Sequence, residues 1–148
     1  MKMNIAEIAR AVDAQNDIEQ WSDIEVSGVA FDSRKLKNGD LFVPLQGARD
    51  GHEFVATAFQ NGASATLWAA DHSYEDDGYP RIVVDDPLAA LQQLGKYYLH
   101  KINPLVVAVS GSNGKTTTKD MIASILSTQM NVTKTYANFN NAIGVPVT

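Results

Sequence analysis

The feature that most constrains this chain is an apolar run followed by a glycine turn and a threonine-rich stretch, residues 105–120. The apolar run, 105–109, is rich in β-branched residues and is typical of a strand buried on both faces in a parallel sheet. Apolar residues recur at helical spacing after the turn and predict a helix there: Met121, Ile122, Ile125 and Leu126. A strand, a glycine loop and a helix N-terminus form an anion site, because backbone amides and the helix dipole both attract a phosphate. Lys115 adds a positive charge, and Thr116 offers a hydroxyl suited to a nucleotide-bound Mg²⁺.

The motif in this turn is the short phosphate-loop form G-x-x-G-K-T, at residues 111–116. The strict form G-x-x-x-x-G-K-[ST] does not fit, because Val109 stands where its first glycine would be. A dinucleotide motif lacks its third glycine, and a serine-nucleophile motif would need glycine in place of Ser110. A plain glycine turn with an exposed lysine is the remaining alternative. We interpret the motif as a phosphate-binding loop.

Composition narrows the class of protein. The chain has 148 residues, 45% of them hydrophobic and 20% charged, which fits one ordinary domain or two small ones. Its net charge of −5 argues against a nucleic-acid partner. The sequence contains no cysteine and no apolar run of membrane-spanning length, so we expect a cytoplasmic protein without a membrane span. Composition leaves the oligomeric state open.

The order of predicted elements indicates an α/β fold. Asn4 and Glu7 predict the start of a first helix, Gly62 the end of a second, and Asp86 followed by Pro87 the start of a third. Apolar or loosely alternating runs predict strands at residues 26–31, 41–45, 65–69 and 81–85, and residues 131–135 are a further candidate strand. We therefore expect a small α/β domain over residues 1–85, and the beginning of a parallel-sheet, phosphate-loop domain over residues 86–148.

The second of these predicted domains has fewer strands and acidic residues than a phosphate-loop domain needs. Only two strands are predicted after residue 86, and no Asp or Glu lies between Met121 and Thr148. A phosphate-loop enzyme uses an acidic residue from a neighbouring strand to hold Mg²⁺. We therefore expect this chain to be the N-terminal fragment of a longer enzyme.

Further polar residues have two interpretations each. Ser33 and Arg34 follow a predicted strand and could bind an anion, although a solvated arginine is more common. Three asparagines after the phosphate loop could line a polar pocket or form turns: Asn138, Asn140 and Asn141. The three histidines lack the spacing of a helical metal pair, so we do not expect them to bind a metal: His52, His72 and His100.

Taken together, the motifs of the whole chain resemble the Mur ligase family of peptidoglycan synthesis. The resemblance is carried by F-D-S-R at 31–34, G-D-L-F-V-P-L-Q-G at 39–47, D-G-H-x-F at 50–54 and G-S-N-G-K-T-T-T-K-D at 111–120. The family's own phosphate loop has the short form. Within the family, N-x-N-N-x-I-G-x-P at 138–146 resembles the member that adds D-alanyl-D-alanine to UDP-N-acetylmuramoyl-tripeptide.

The resemblance implies a function and a set of site residues. It implies that ATP, with Mg²⁺, phosphorylates the substrate carboxylate, and that an amine then attacks the acyl phosphate to form an amide. The residues it implies for the ATP phosphates are Gly111, Ser112, Asn113, Gly114, Lys115, Thr116 and Thr117, with Lys115 at the β- and γ-phosphates and Thr116 towards Mg²⁺. Those implied for the uridine nucleotide substrate are Phe31, Ser33, Arg34, Gly47, Ala48, Arg49 and Asp50, and those for the substrate cleft are Asn138, Asn140 and Asn141.

Two alternatives to this function stay open. One is the sister ligase that adds the third amino acid of the peptide, and the other is a non-catalytic module that binds a uridine nucleotide. The resemblance also implies that the family's magnesium-binding glutamate, modified lysine and dipeptide-binding residues lie beyond Thr148. We therefore expect this chain to lack ligase activity on its own.

Overall fold

The structure, a computed structural model, describes residues 1–136 and 141–148. Its strands are β1 (Met3–Asn4), β2 (Glu25–Val26), β3 (Gly28–Ala30), β4 (Asp40–Phe42), β5 (Ala65–Ala69) and β6 (Arg81–Val84). Its α-helices are α1 (Ile5–Ala11), α2 (Val55–Gln60), α3 (Pro87–Ile102) and α4 (Lys115–Leu126). Two short 3₁₀ helices cover Glu19–Trp21 and Gly51–Phe54. This mixed architecture confirms the predicted α/β class.

The centre of the fold is a parallel four-stranded sheet in the order β3-β4-β5-β6. The register pairs Val29 with Leu41, Phe42 with Thr66 and Leu67 with Ile82. Every residue of β4, β5 and β6 is buried. Burial on both faces explains why these strands are nearly continuous apolar runs rather than alternating ones.

Two apolar cores cover the two faces of this sheet. Ile8 of α1 and Leu91 of α3 pack with Leu67 on one face. Val55 of α2 packs with Trp68, the next residue along β5, on the other. Successive strand residues point to opposite faces, so the alternation along β5 builds both layers.

The open edge of β6 is protected by the segment after α1. The Gln15 amide donates to the carbonyl of Val83 at 2.9 Å, and Asn16 Oδ1 accepts from the Val83 amide at 2.9 Å. Asn16 Nδ2 also donates to the carbonyl of Arg81 at 2.9 Å. These bonds satisfy backbone groups that an uncovered edge strand would leave unpaired.

The two helices on the first face begin as predicted. Asn4 Oδ1 accepts the Glu7 amide at 2.9 Å, and Asp86 Oδ1 accepts the Leu88 amide at 2.8 Å. The Glu7 carboxylate accepts hydrogen bonds from Tyr97 and Lys101 of α3, and the bond from Lys101 is the main cause of its lowered pKa. Glu7 therefore ties α1 to α3.

Helix α3 belongs to the same core as the sheet, through Ala90, Leu91 and Leu94. It ends at Asn103, which adopts a left-handed conformation with φ of 42°, before Pro104. The domain division after residue 85 stays a prediction.

Three strand predictions differ from the structure. Residues 105–109 are not a strand, and Leu105, Val106 and Val107 are exposed. Residues 131–135 are not a strand either. A strand needs a hydrogen-bonded neighbour, and within the two described ranges every paired strand lies in residues 1–84. The predicted strand 26–31 is divided at Ser27 between the antiparallel β1-β2 pair and the parallel sheet.

Among the residues that the structure describes, no helix is both long enough and apolar enough to cross a membrane.

The contribution of α3 to the core can be measured with two leucines of that helix. Leu94 is 1% exposed and Leu99 is 45% exposed. We expect Leu94→Ala to lower the free energy of unfolding by about 2–5 kcal/mol, because it leaves a cavity. The matched Leu99→Ala change should cost about 0.5 kcal/mol. Urea denaturation measures both, and equal losses would show that the face of α3 bearing Leu94 does not pack in the core.

Candidate functional site

The carboxyl ends of the parallel strands bring several predicted site residues to one edge of the sheet. Residues 31–34 follow β3, residues 43–50 follow β4, and Asp71 and His72 follow β5 shortly after its end. Because β3, β4 and β5 are parallel neighbours, these segments leave the sheet side by side. In open α/β sheets, ligands bind at this edge.

The loop after β4 closes on itself around its exposed tip. Gln46 and Asp50 form an antiparallel bridge, and the Gly47 amide donates to the carbonyl of Arg49 at 3.2 Å. Gly47, Ala48 and Arg49 are exposed. The base of the loop is tight, because a Cβ added to Gly51 would lie 2.6 Å from the Leu45 nitrogen. The predicted substrate-binding residues 47–49 therefore form an exposed tip on a closed base.

The segment after β3 is held by its own hydrogen bonds. The Ser33 carbonyl accepts from Asn61 Nδ2 at 2.8 Å and its side chain is buried, whereas Phe31 is 37% exposed. The Arg34 guanidinium donates twice to the Asp32 carboxylate, both at 2.9 Å. These bonds lower the pKa of Asp32 to about 2. Arg34 is thus paired with Asp32, although its guanidinium stays accessible to an anion.

Asp50 accepts more side-chain hydrogen bonds than the other predicted site residues that the structure describes. Its Oδ1 accepts the His52 amide at 3.0 Å and lies 2.7 Å from Nδ1 of His52, while its Oδ2 lies 2.7 Å from Nε2 of His72. The His52 amide bond is the main cause that lowers the pKa of Asp50 to about 2. Asp50 is therefore an ionised carboxylate that fixes the base of the loop.

The structure brings together two histidines that the sequence separates by twenty positions. The rings of His52 and His72 stack with their centroids 4.0 Å apart and their planes at 17°. Sequence reasoning missed this pair because it examined spacing within a helix. A usable sign was present, since D-G-H and D-H each follow a predicted strand.

Asp50, His52 and His72 are the described residues that could hold a metal ion, with ligand atoms all within 4.8 Å of one another. Two features of the geometry argue against a metal ion at these residues. The in-plane nitrogen lone pairs of the two stacked rings lie in nearly parallel planes about one ring stack apart, which is a poor arrangement for binding one ion. The Nε2 of His52 also accepts the Ala69 amide at 3.1 Å, which leaves its proton on Nδ1 facing Asp50. The geometry is that of a hydrogen-bond chain.

The glycine loop has the backbone of an anion site. Gly114 adopts a left-handed conformation, with φ of 76°, immediately before α4. The first hydrogen bond of α4 runs from the Thr118 amide to the Gly114 carbonyl at 2.9 Å. The amides of residues 115–117 therefore face out of the helix end, without an acceptor in the helix. Lys115 Nζ folds back and donates to the Gly111 carbonyl, across the loop.

The remaining predicted residues lie close to this loop in sequence. Ser112, Asn113, Thr116 and Thr117 are exposed. Asn141 Oδ1 accepts the Gly144 amide at 2.7 Å, a turn contact that matches the second of its two interpretations. Asn138 and Asn140 lie outside the described residues.

Helix α4 presents much of its predicted apolar face to solvent, since Met121 and Ile125 are 60% and 67% exposed. The segment after α4 is joined to it by two contacts. Lys119 Nζ donates to the Thr135 carbonyl at 2.8 Å, and Lys134 pairs with Asp120 at 2.7 Å.

Comparison with known proteins gives two family matches. Residues 25–99 match the Mur ligase family, catalytic domain, and residues 109–148 match the Mur ligase middle domain. A similar curated protein is the UDP-N-acetylmuramoyl-tripeptide–D-alanyl-D-alanine ligase of Bacillus subtilis (strain 168), at 49% identity over 146 residues. The match covers 98% of this chain and 31% of that protein, so the chain spans about a third of its length.

Solved structures of ligases are also similar to this chain. The UDP-N-acetylmuramoylalanyl-D-glutamyl-2,6-diaminopimelate–D-alanyl-D-alanyl ligase of Acinetobacter baumannii matches with a TM-score of 0.84 and 34% identity, over 99% of this chain and 33% of that one. The MurF ligase of Thermotoga maritima in complex with ADP matches with a TM-score of 0.67 and 32% identity, over 82% of this chain and 28% of that one.

The bonds to Asp50 predict a loss of stability in acid. Since the pKa of Asp50 is about 2 when folded and 3.8 ordinarily, Asp50 contributes stability above about pH 4 that is lost as the pH falls towards 2. We expect the urea midpoint to fall less steeply over this range in Asp50→Asn than in the parent chain. The exposed Asp76→Asn is the control and should retain the parent slope. A parent slope in Asp50→Asn would contradict this role.

Proposed function

The chain belongs to the Mur ligase family, and we propose that the whole protein catalyses the ATP-dependent formation of an amide in peptidoglycan precursor synthesis. The amine is D-alanyl-D-alanine and the acid is UDP-N-acetylmuramoyl-tripeptide. The ligase names of the similar Bacillus and Acinetobacter proteins support this choice. The partners are thus small molecules, in the cytoplasm where nucleotide precursors are made.

The observation that carries the proposal is the helix end at Gly114. There a left-handed glycine begins a twelve-residue helix whose first three amides have no acceptor within the helix, and Lys115 Nζ lies across the loop on the Gly111 carbonyl. That arrangement binds the phosphate tail of a nucleotide. The ADP bound to the similar Thermotoga ligase supports ATP as the nucleotide.

The chemistry assigns different roles to the two parts of the chain. The terminal carboxylate of the tripeptide accepts the γ-phosphoryl group, ADP leaves, and the amine then displaces phosphate to form the amide. Lys115 offsets the negative charge that develops on the transferred group. ATP binds together with Mg²⁺. Thr116 is exposed at the helix end, and its hydroxyl is suited to that ion.

The uridine diphosphate end of the acid binds at the carboxyl edge of the sheet. The accessible guanidinium of Arg34 supplies donors suited to a diphosphate there, and the exposed tip at residues 47–49 follows the neighbouring strand. Phe31 lies three residues before Arg34 and is 37% exposed, so its ring offers an aromatic face to the uracil base.

Nucleotide binding by the glycine loop is tested with Lys115→Ala. We expect the affinity of the chain for MgATP to fall about tenfold or more, because a hydrogen bond to a charged group is lost. Phosphorus NMR titration measures this even for weak binding. The exposed Lys96→Ala, on α3, is the charge-matched control. An unchanged dissociation constant in Lys115→Ala would remove the phosphate-loop assignment.

The choice of amine is tested by phosphate release from the complete gene product. With UDP-N-acetylmuramoyl-tripeptide and ATP, we expect turnover with D-alanyl-D-alanine. With UDP-N-acetylmuramoyl-dipeptide, a single diamino acid should give none. Turnover with the diamino acid alone would indicate the sister ligase. Binding of uridine nucleotides without turnover in either assay would indicate a binding module.

A further inference from the structure

A chain of hydrogen bonds crosses the carboxyl edge of the sheet beside the proposed uridine nucleotide loop. It runs from Asp71 Oδ1 to Nδ1 of His72, from Nε2 of His72 to Asp50 Oδ2, and from Asp50 Oδ1 to Nδ1 of His52, each at 2.7 Å. It ends where Nε2 of His52 accepts the Ala69 amide. This series of hydrogen bonds therefore joins the end of β5 to the base of the loop after β4.

The groups at the two ends of this series of hydrogen bonds determine which histidine nitrogens are protonated. Both nitrogens of His72 face carboxylates, which accept when ionised, so both nitrogens donate and the ring is an imidazolium. The amide of Ala69 can only donate, so Nε2 of His52 accepts and that ring is neutral. A cationic ring therefore stacks on a neutral one.

The backbone of His72 is fixed independently of its ring. Its carbonyl accepts from Trp68 Nε1 at 2.9 Å, and its amide donates to the Ala69 carbonyl at 3.0 Å. The ring thus projects from a rigid turn, and its bond to Asp50 restrains the loop from one side.

We propose that protonated His72 is a positioning residue for uridine nucleotide binding, holding the loop at residues 47–50 through Asp50, and that loss of its proton weakens that binding. This inference rests on the proposed function, since it assigns a determinant to the same site.

The charged groups around His72 identify its proton as the one that changes. Asp71 and Asp50 face it directly, and the bond to Asp71 is the main cause of its raised pKa. Two ion pairs lie on the neighbouring loops, Arg49 with Glu53 at 2.7 Å and Arg81 with Asp77 through two bonds. The loop that contains His72 also contains the exposed carboxylates of Glu75 and Asp76.

Deprotonation of His72 has two consequences. A neutral ring has one N–H, so either Asp50 Oδ2 or Asp71 loses its donor. The edge also gains a net negative charge close to where a diphosphate would bind. Because the pKa of His72 is raised above 6.5, the restraint is complete below about pH 6.5 and is lost as the pH rises through the higher value of the folded chain.

The test is calorimetric titration with UDP from pH 6 to pH 9, on the parent chain and on His72→Gln. Glutamine can donate to one carboxylate but cannot carry the charge. We expect the parent affinity to fall with rising pH. At pH 6, His72→Gln should bind roughly fivefold more weakly than the parent, the upper range for a half-exposed ion pair. Its affinity should not follow that pH dependence. His100→Gln, on α3, is the matched control, and the ionisation of UDP itself is common to all variants.

A second variant distinguishes positioning from a purely structural role. Asp71 is 80% exposed in its side chain, so Asp71→Asn should fold normally. Because Asp71 stabilises the imidazolium, we expect the pH at which UDP affinity falls to move lower in this variant. Nitrogen-15 NMR of the imidazole rings should show His72 doubly protonated at pH 6 and His52 neutral with its proton on Nδ1.

The outcomes separate the two proposals. If the parent chain does not bind UDP at any pH, the uridine nucleotide site itself is wrong, and this inference fails with it. If UDP binds but His72→Gln follows the parent at every pH, or the NMR spectra show a neutral His72 at pH 6, only the role of His72 is overturned.

Discussion

The parallel pairing of β3, β4, β5 and β6 is the constraint on which the rest of the structure depends. Parallel strands leave the sheet at one edge, so segments far apart in sequence emerge as neighbours. Asp50 and His72 meet at 2.7 Å for this reason, because they follow adjacent strands β4 and β5. Burial of β4 and β5 on both faces then fixes the register, and with it the position of the loops that contain those side chains.

The two proposed phosphate sites achieve their geometry by different means. At the sheet edge, side chains do the work: Asp50 accepts three hydrogen bonds and closes the base of a loop whose tip is exposed. At α4, the backbone forms the site, through the left-handed Gly114 and the amides that follow it without an acceptor in the helix. A side-chain network titrates with pH, whereas a set of amides does not. We therefore expect pH sensitivity at the sheet edge rather than at the glycine loop.

Local sequence patterns predicted the elements that local physics determines. Asn4 and Asp86 cap helices because the capping bond joins residues two or three positions apart. The division at Ser27 between two sheets was not predictable, since it depends on which strands lie on either side. The stacking of His52 on His72 likewise depends on strand order. Patterns within a helix carry no information about either.

The run at residues 105–109 shows the same limit for strand propensity. Its β-branched residues favour extended backbone, but a strand gains its stability from a paired neighbour, and Leu105, Val106 and Val107 are exposed. The glycine loop is consequently anchored on one side, by α4, with the contact of Lys115 to Gly111 closing it. The proposed phosphate site therefore depends on the helix end and on Lys115, because no paired strand among the described residues fixes the run that precedes it.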